Sequence, residues 1–273
     1  MPSGIDFMRE PAIDVHGHVG NYGGYTPHRA LLFHGEPREP SDRAAEANVE
    51  ITLISALTAF DPAPDKPADV EAGNALAMRT AEQFDNLLFY AVANPRNDGW
   101  QKRTEKLLEH PRCAGVKLHP RWNYWDVTEY GDRVFDFMHR NRVLTLSHTG
   151  DPGNAPSQFV PFANKYPNMK LILAHIGNDQ VTDRHDAQVA AVEQCTQGNV
   201  WTDTSSAASM LAKIIELAVE RIGADRILFG TDTPLYSTAA QKARVAYAQI
   251  SDDDKRKILY DNAAALLGIG QHV

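Results

Sequence analysis

The stretch AGVKLHPRWNYWDVTEYGDRVFDFMHRNRVLTLSHTG (114–150) contains a strand, a helix and a second strand, in that order. AGVKLH (114–119) and RVLTLSH (142–148) are short apolar runs typical of buried strands, whereas YGDRVFDFMHRN (130–141) between them favours helix. Near-continuous apolar strands separated by a helix indicate parallel neighbours in a sheet that is covered on both faces. Both strands end in a histidine, so this unit also carries candidate functional residues.

The same strand pattern recurs along the rest of the chain, in AIDVH (12–16), EITLISA (50–56), NLLFYAVA (86–93), MKLILAH (169–175), NVWTDT (199–204) and RILFGTD (226–232). Helix-favouring segments separate these runs, for example ADVEAGNALAMRTAEQF (68–84) and SAASMLAKIIELAVERIG (206–223). The latter is predicted to carry one apolar face and a C-cap, formed by Met210, Ile214, Leu217, Ala218 and Gly223. Eight strands alternating with helices predict an α/β fold, a closed (β/α)8 TIM barrel.

An additional C-terminal helix is predicted after the eighth strand. It begins at the capping-box pattern Ser251-Asp-Asp-Asp254. Its apolar stripe comprises Ile258, Leu259, Ala263, Leu266 and Leu267. Because no linker or low-complexity tract interrupts the β/α pattern, we expect residues 1–273 to form one domain.

Composition and charge limit the classes of partner. The net charge is −8, and the sequence has no run of Lys and Arg long enough to bind along a phosphate backbone. We therefore expect no nucleic-acid partner. No signal-like or membrane-spanning apolar run is present, which predicts a soluble, cytoplasmic protein without membrane contact. Cys113 and Cys195 lack a CxxC partner and are expected to be buried apolar residues. The sequence leaves a homo-oligomer open.

Several predicted strands end in a residue that can bind a metal or transfer a proton. These residues are His16, His18, His119, His148, His175 and Asp232. In a TIM barrel the carboxyl ends of the strands converge on one face, where catalytic groups lie. A single histidine at a strand end is more often structural, but repetition at the same end of several strands favours a functional site. His28, His34, His110, His139, His185 and His272 lie elsewhere and receive no role.

The spacing of His16 and His18 places both side chains on the same face of the first strand. Together with His148 and Asp232, they offer a mixed nitrogen and oxygen ligand set for a divalent metal. Zinc is the first expectation, and manganese, iron and cobalt accept the same ligands. A catalytic rather than structural site would keep an open coordination position for water.

Six motifs resemble, in chain order, the signature segments of the amidohydrolase superfamily, specifically the branch called amidohydrolase family 2. They are DVHGH (14–18), GVKLHP (115–120), LSHTG (146–150), LAHIG (173–177), FGTDTP (229–234) and DNAAALLG (261–268). The resemblance implies a metal held by His16, His18, His148 and Asp232. It also implies that His175 orients or activates water, or binds a second metal in binuclear relatives.

Lys117 is a second residue whose role the resemblance leaves open. Some binuclear members of the superfamily use a carboxylated lysine on the fourth strand to bridge two ions. Lys117 and His119 are two residues apart and are expected to face the same way. Alternatively, Lys117 pairs with a carboxylate or a substrate anion, and the site holds one ion.

The resemblance implies a metal-dependent enzyme acting on a small molecule. A divalent ion acidifies water and polarises carbonyls, which suits hydrolysis of an amide, lactone or other ester, with Asp232 and His175 as the catalytic residues. Non-oxidative decarboxylation, a lyase reaction of the same branch, is the alternative. Decarboxylases tend to be longer than this compact chain, which favours hydrolysis. A catalytically silent metal-binding barrel is a third interpretation.

Substrate-binding residues are expected in the loops that follow the strands. HPRWNYWD (119–126) offers Arg121 for a carboxylate and Trp122, Tyr124 and Trp125 for an aromatic wall, with His119 beside them. A packed lid without substrate contact explains the same stretch equally well. Arg96 is a second anion-binding candidate. The stretch GNYGGY (20–25) is interpreted as a mobile loop over the site.

Overall fold

The structure is a computed structural model that describes residues 4–21, 34–60, 69–182, 184–206 and 210–270. Residues 22–25 of the stretch GNYGGY (20–25) lie outside the described residues, as do His28 and His272. Within the described residues no helix is both long and apolar enough to cross a bilayer.

All eight predicted strands are present, together with one short strand that the sequence pattern does not predict. The strands are β1 (Ile13–Asn21), β2 (His34–Gly35), β3 (Ile51–Ala56), β4 (Leu87–Val92), β5 (Cys113–Leu118), β6 (Leu144–Ser147), β7 (Lys170–Leu173), β8 (Val200–Asp203) and β9 (Ile227–Leu228). Their order in the sheet is β2-β1-β3-β4-β5-β6-β7-β8-β9. Only the β1/β2 pairing is antiparallel, and each of the other pairs is parallel.

Main-chain hydrogen bonds join the first and last parallel strands and close the sheet into a barrel. The N–H of Val15 donates to the carbonyl of Phe229 at 3.0 Å, and that of His18 donates to Thr233 at 2.6 Å. Gly17 forms a parallel bridge with Thr233 at the same seam. A Cβ on Gly17 would lie 2.7 Å from Cγ2 of Thr52, so the close approach of β1 and β3 requires glycine here. The predicted TIM barrel is confirmed.

Helices follow the strands on the outside of the barrel. They are α1 (Glu39–Glu46), α2 (Val70–Gln83), α3 (Trp100–Leu108), α4 (Val127–Arg140), α5 (Pro156–Lys165), α6 (Ala187–Gln194), α7 (Ile214–Ile222), α8 (Thr238–Ala246), α9 (Asp252–Arg256) and α10 (Asn262–Leu267). Asp126 caps α4 by accepting a hydrogen bond from the N–H of Thr128, which explains why this helix begins earlier than its apolar pattern suggests.

The helix predicted over 206–223 is shorter in the structure, so the predicted start is wrong. It begins only at Ile214, because Lys213 adopts a left-handed φ of 69° that interrupts any preceding helical turn. Ile214 and Ala218 are buried as expected, but Met210 lies outside the helix with 53% of its surface exposed. Gly223 terminates the helix as predicted.

The extra C-terminal helix is confirmed, in two parts. Ser251 accepts a hydrogen bond from the N–H of Asp254 and begins α9. A π-helical turn (Lys257–Asp261) joins α9 to α10. Ile258, Leu259 and Ala263 are fully buried, which attaches this segment to the barrel.

Candidate metal centre

The six polar residues predicted at the strand ends converge at one end of the barrel, together with Lys117 and Asp203. They come from β1 and from the carboxyl ends of β5, β6, β7, β8 and β9, and comprise His16, His18, Lys117, His119, His148, His175, Asp203 and Asp232. All except His148 are buried, so the cluster lies below the surface of the barrel mouth.

One group able to hold a metal consists of His16, His18 and Asp232, whose ligand atoms lie within 4.8 Å of one another. His18 Nε2 lies 2.9 Å from Asp232 Oδ1, and His16 Nε2 lies 3.7 Å from the same oxygen. The other ring nitrogen of His18 faces the carbonyl of Ser55 at 3.2 Å. Three of the four predicted ligands are therefore brought together around one point.

A second group combines His16 and His175 with Asp203, again with ligand atoms within 4.8 Å of one another. Asp203 Oδ2 lies 2.9 Å from His16 Nδ1, on the side of the ring opposite Asp232. The His16 and His175 rings stack with centroids 4.8 Å apart. His16 thus belongs to both groups through different nitrogens.

The Lys117 ammonium lies against the first group. Its Nζ is 2.8 Å from His16 Nε2, and the side chain is fully buried. Burial lowers the pKa of Lys117 to about 8, against the opposing attraction of Asp232 and Asp203. A cation is therefore already held by the nitrogen that points toward Asp232.

His148, the fourth predicted ligand, belongs to neither group among the described residues. Its Nδ1 lies 3.0 Å from His175 Nε2, and its Nε2 lies 2.6 Å from Asp151 Oδ2. Asp151 in turn accepts a hydrogen bond from Arg121. Both ring nitrogens of His148 are engaged, and its role as a ligand stays a prediction.

Of the residues proposed for substrate contact, His119 and Trp122 form a stack beside this centre. His119 lies between Trp122, with ring centroids 4.9 Å apart, and His148, with centroids 4.2 Å apart. Trp125 belongs to the buried core and is only 5% exposed, so it forms no open wall. Arg96 donates to the carbonyl of Tyr124 at 3.2 Å.

Burial sets the protonation states of the cluster. Removal from water lowers the pKa of His18 and lowers the pKa values of His16, His119 and His175 well below the usual range. Burial opposes ionisation of Asp232, but the hydrogen bond to His18 and the nearby positive charge outweigh it and lower its pKa. Neutral imidazoles beside an ionised carboxylate are the forms that coordinate metals.

Two of the functional residues have unusual backbone conformations. His175 and Asp232 have left-handed φ values of 72° and 60°, which are uncommon for residues other than glycine. The neighbours hold both conformations, because the N–H of Asp232 donates to His16 at 2.6 Å and that of His175 donates to Asp203 at 3.0 Å. Such strain is typical of functional sites.

Sequence reasoning missed Asp203, Ser205, Asp14 and Asp151. Asp203 is the last residue of β8 but the last but one of the predicted strand NVWTDT (199–204), so a strand-end pattern widened by one residue would have found it. Asp14 accepts hydrogen bonds from the N–H groups of His16 and Thr231, each at 3.0 Å, and ties β1 to the segment after β9. Nothing in the sequence pairs Asp151 with His148, since that contact depends on the turn after β6.

The donor set fits a divalent metal. Two imidazoles and one carboxylate suit zinc and manganese, and burial keeps both imidazoles in the neutral form that coordinates a metal. His16, His18 and Asp232 would hold the ion, with His175 beside them.

The chain is similar to known proteins in sequence pattern and in fold. The amidohydrolase family model matches residues 13–269. The fold is similar to that of 5-carboxyvanillate decarboxylase from Sphingomonas paucimobilis, with a TM-score of 0.72, 14% identity, and coverage of 95% of this chain and 99% of that chain. A search of curated proteins gave no match.

Two further solved structures resemble the chain and contain metal. A dihydroxybenzoic acid decarboxylase from Polaromonas sp. JS666 with bound manganese has a TM-score of 0.70, 16% identity, and coverage of 95% and 97% of this and that chain. A zinc-bound amidohydrolase from Burkholderia multivorans has a TM-score of 0.71, 15% identity, and coverage of 96% and 100%. At these identities the structures show a shared fold. Because the family model spans nearly the whole chain, the protein belongs to the amidohydrolase family.

Proposed function

We propose that this protein is a divalent-metal hydrolase that cleaves an amide, lactone or other ester of a small molecule. The observation that carries the proposal is the grouping of His16, His18 and ionised Asp232 within 4.8 Å, with neutral His175 stacked on His16. A divalent ion bound there supplies Lewis acidity, which acidifies water and polarises a carbonyl oxygen. Zinc is the first expectation and manganese the second.

The side chains around the metal centre would transfer the proton, orient the reacting groups and limit access of water. Asp232 accepts the proton of the attacking water on its carboxylate and returns it to the leaving group, because its lowered pKa keeps it ionised at neutral pH. His175 orients the reacting groups from its position against the His16 ring. Partly buried Trp122 stacks on buried His119, and Phe60 packs against His119, so we expect these rings to limit access of water to the centre.

The surroundings of the arginines favour a substrate without a carboxylate. Arg121 is already paired with buried Asp151, and Arg96 donates to a main-chain carbonyl. Both guanidinium groups are therefore already engaged by groups of the protein itself. A neutral amide or ester would need no such partner.

Non-oxidative decarboxylation is the second candidate. The Lys117 ammonium faces the metal centre and could bind a carboxylate there. Decarboxylases are among the proteins that share the fold, and this chain covers 99% of one of them, so the size difference that favoured hydrolysis has no support. An experiment is therefore needed to distinguish hydrolysis from decarboxylation.

The test compares two assays on zinc-loaded and manganese-loaded enzyme. One follows hydrolysis of a panel of neutral aryl esters, lactones and anilides, with ¹⁸O incorporation from labelled water. The other follows ¹³CO₂ release from carboxyl-labelled 2,6-dihydroxybenzoate and 5-carboxyvanillate. Metal-dependent hydrolysis that Asp232→Asn abolishes supports the proposal. Carbon dioxide release without hydrolysis establishes the second candidate, and full metal occupancy with neither activity across both panels contradicts an enzymatic role.

A further inference from the structure

Asp203 is a buried carboxylate that connects two histidines of the centre. Its Oδ2 faces His16 Nδ1 at 2.9 Å. Its Oδ1 accepts hydrogen bonds from the N–H of His175 and the N–H of Ser205, each at 3.0 Å, and from the Ser205 hydroxyl. The side chain is fully buried, and all four of these neighbouring groups can donate.

The contacts of Asp203 and Lys117 select one tautomer of His16. Asp203 Oδ2 accepts hydrogen bonds, so its 2.9 Å contact with His16 Nδ1 fits a ring that carries its proton on Nδ1. On the other side of the ring Lys117 Nζ lies 2.8 Å from Nε2 and can donate to it, a contact that fits a lone pair on Nε2. The Ser205 hydroxyl also lies 3.0 Å from His16 Nδ1, but it donates its proton to Asp203 and so presents its oxygen to this nitrogen. The contacts on both sides therefore fit a ring with its proton on Nδ1 and its lone pair toward Asp232.

The position of Asp203 is fixed by close packing as well as by hydrogen bonds. A Cβ added to Gly230 would lie 3.1 Å from Cβ of Asp203 and 3.2 Å from Cβ of His16, so the backbone of residue 230 packs against both residues. A carboxylate held in this way can orient the imidazole ring and set its basicity.

We propose that Asp203 is a positioning residue that holds His16 in the Nδ1-protonated tautomer, so that Nε2 is free to bind the metal. The inference rests on the proposed metal centre and assigns Asp203 no contact with the ion. The alternative is that Asp203 is itself a ligand of a second ion together with His16 and His175, which also lie close enough.

The substitution Asp203→Asn is expected to reverse the tautomer of His16, and so tests the proposal directly. The amide oxygen of Asn would face the three donors from His175 and Ser205, which places the amide NH₂ against His16 Nδ1. Because NH₂ can only donate, His16 must then accept at Nδ1 and carry its proton on Nε2, the nitrogen needed by the metal. A matched control is Asp14→Asn, since Asp14 is equally buried but contacts the main chain of His16 rather than its ring.

The experiment measures two quantities. The first is the tautomer of His16 in the metal-free protein, from ¹⁵N chemical shifts of histidine-labelled protein, with His16→Gln identifying the signals. The second is the dissociation constant and stoichiometry for Zn²⁺, by competition with a chromogenic chelator. We expect an Nδ1 proton in wild type and Asp14→Asn, an Nε2 proton in Asp203→Asn, and about 10- to 100-fold weaker Zn²⁺ binding in Asp203→Asn.

Three results would overturn the proposal. One is an Nε2 proton on His16 in the wild-type protein, which needs no variant and so holds even if Asp203→Asn fails to fold. Another is unchanged Zn²⁺ affinity in a folded Asp203→Asn protein. The third is a fall from two bound ions to one in Asp203→Asn, which would make Asp203 a ligand. Absence of Zn²⁺ binding by wild type would instead refute the proposed metal centre, while the tautomer still tests Asp203.

Discussion

Lys117 Nζ lies 2.8 Å from His16 Nε2, the position where a divalent ion would have to approach that nitrogen. A zinc–imidazole bond is about 2.0–2.1 Å long, so the ammonium and an ion cannot both occupy this position. Lys117 therefore competes with the metal while it is protonated. Its loss of a proton, its displacement or its carboxylation would remove the competition.

The first prediction concerns the pH dependence of metal binding. Burial lowers the pKa of Lys117 to about 8, so the competing ammonium is present below this pH and is lost above it. We expect Mn²⁺ affinity to rise between pH 6.5 and 8 by roughly tenfold per pH unit and then to level, because one proton is displaced. Lys117→Met should flatten this rise. Free Mn²⁺ measured by electron paramagnetic resonance provides the readout, and an identical slope in both proteins would contradict the competition.

The second prediction ranks the proposed ligands. His16→Ala and His18→Ala should each weaken Zn²⁺ binding strongly, because each removes a nitrogen that lies near Asp232. His148→Ala should weaken it less, because both nitrogens of His148 are engaged by His175 and Asp151. Elemental analysis after dialysis against a fixed Zn²⁺ concentration gives the order. If His148→Ala loses as much metal as His16→Ala, the predicted order is wrong and His148 is a metal ligand like His16.

The third prediction separates metal binding from proton transfer at Asp232. Asp232→Asn keeps an oxygen near His18 but removes the proton acceptor, so kcat and kcat/KM on an established substrate should fall together by about 10²- to 10⁴-fold. Some metal should remain bound. His175→Asn should reduce kcat with metal content near that of wild type, because His175 is assigned no metal bond. Normal turnover by Asp232→Asn would contradict the assigned proton transfer, and loss of one of two ions from His175→Asn would show a binuclear site.

The fourth prediction concerns a buried cation far from the metal centre. Lys242 is fully buried and donates to the main-chain carbonyls of Met8, Glu10, Ala47 and Asn48 at 2.6–3.1 Å. It thereby fastens the segment before β1 and the turn before β3 to α8. Lys242→Met retains an apolar stem but leaves these carbonyls without their donor, and should lower the free energy of unfolding by about 3 kcal/mol.

A matched control uses an exposed lysine. Lys165 pairs with exposed Asp132 at the surface, where water readily replaces either partner. Lys165→Met should leave the urea midpoint nearly unchanged, whereas Lys242→Met should shift it clearly. Equal midpoints for the two variants would show that the Lys242 contacts contribute little to stability.

The barrel was predictable because its signal repeats. Eight apolar runs separated by helical segments leave few arrangements other than a closed parallel sheet, and the main-chain hydrogen bonds from Val15 and His18 close it as expected. Strand β2 was not predictable, since two residues, His34 and Gly35, carry no periodicity. The start of α7 was misplaced because the left-handed conformation of Lys213 is not encoded by its residue type.

The metal centre was predictable in part for the same reason. Strand ends converge in this fold, so His16, His18 and Asp232 could be grouped before any geometry was known. The partners of His148 could not, because its contact with Asp151 depends on side-chain orientation in a turn. Asp203 was missed because the predicted strand 199–204 ends one residue later, at Thr204, whereas Asp232 is the last residue of its predicted strand.

The central claim is that His16, His18 and Asp232 bind one divalent ion together. Anomalous diffraction from crystals of the Zn²⁺-loaded protein, recorded above and below the zinc absorption edge, tests it most directly. We expect one strong peak about 2.0–2.2 Å from His16 Nε2, His18 Nε2 and an Asp232 carboxylate oxygen, with Lys117 Nζ moved away from His16. A zinc peak elsewhere, or none at this position in protein that retains stoichiometric zinc, would contradict it.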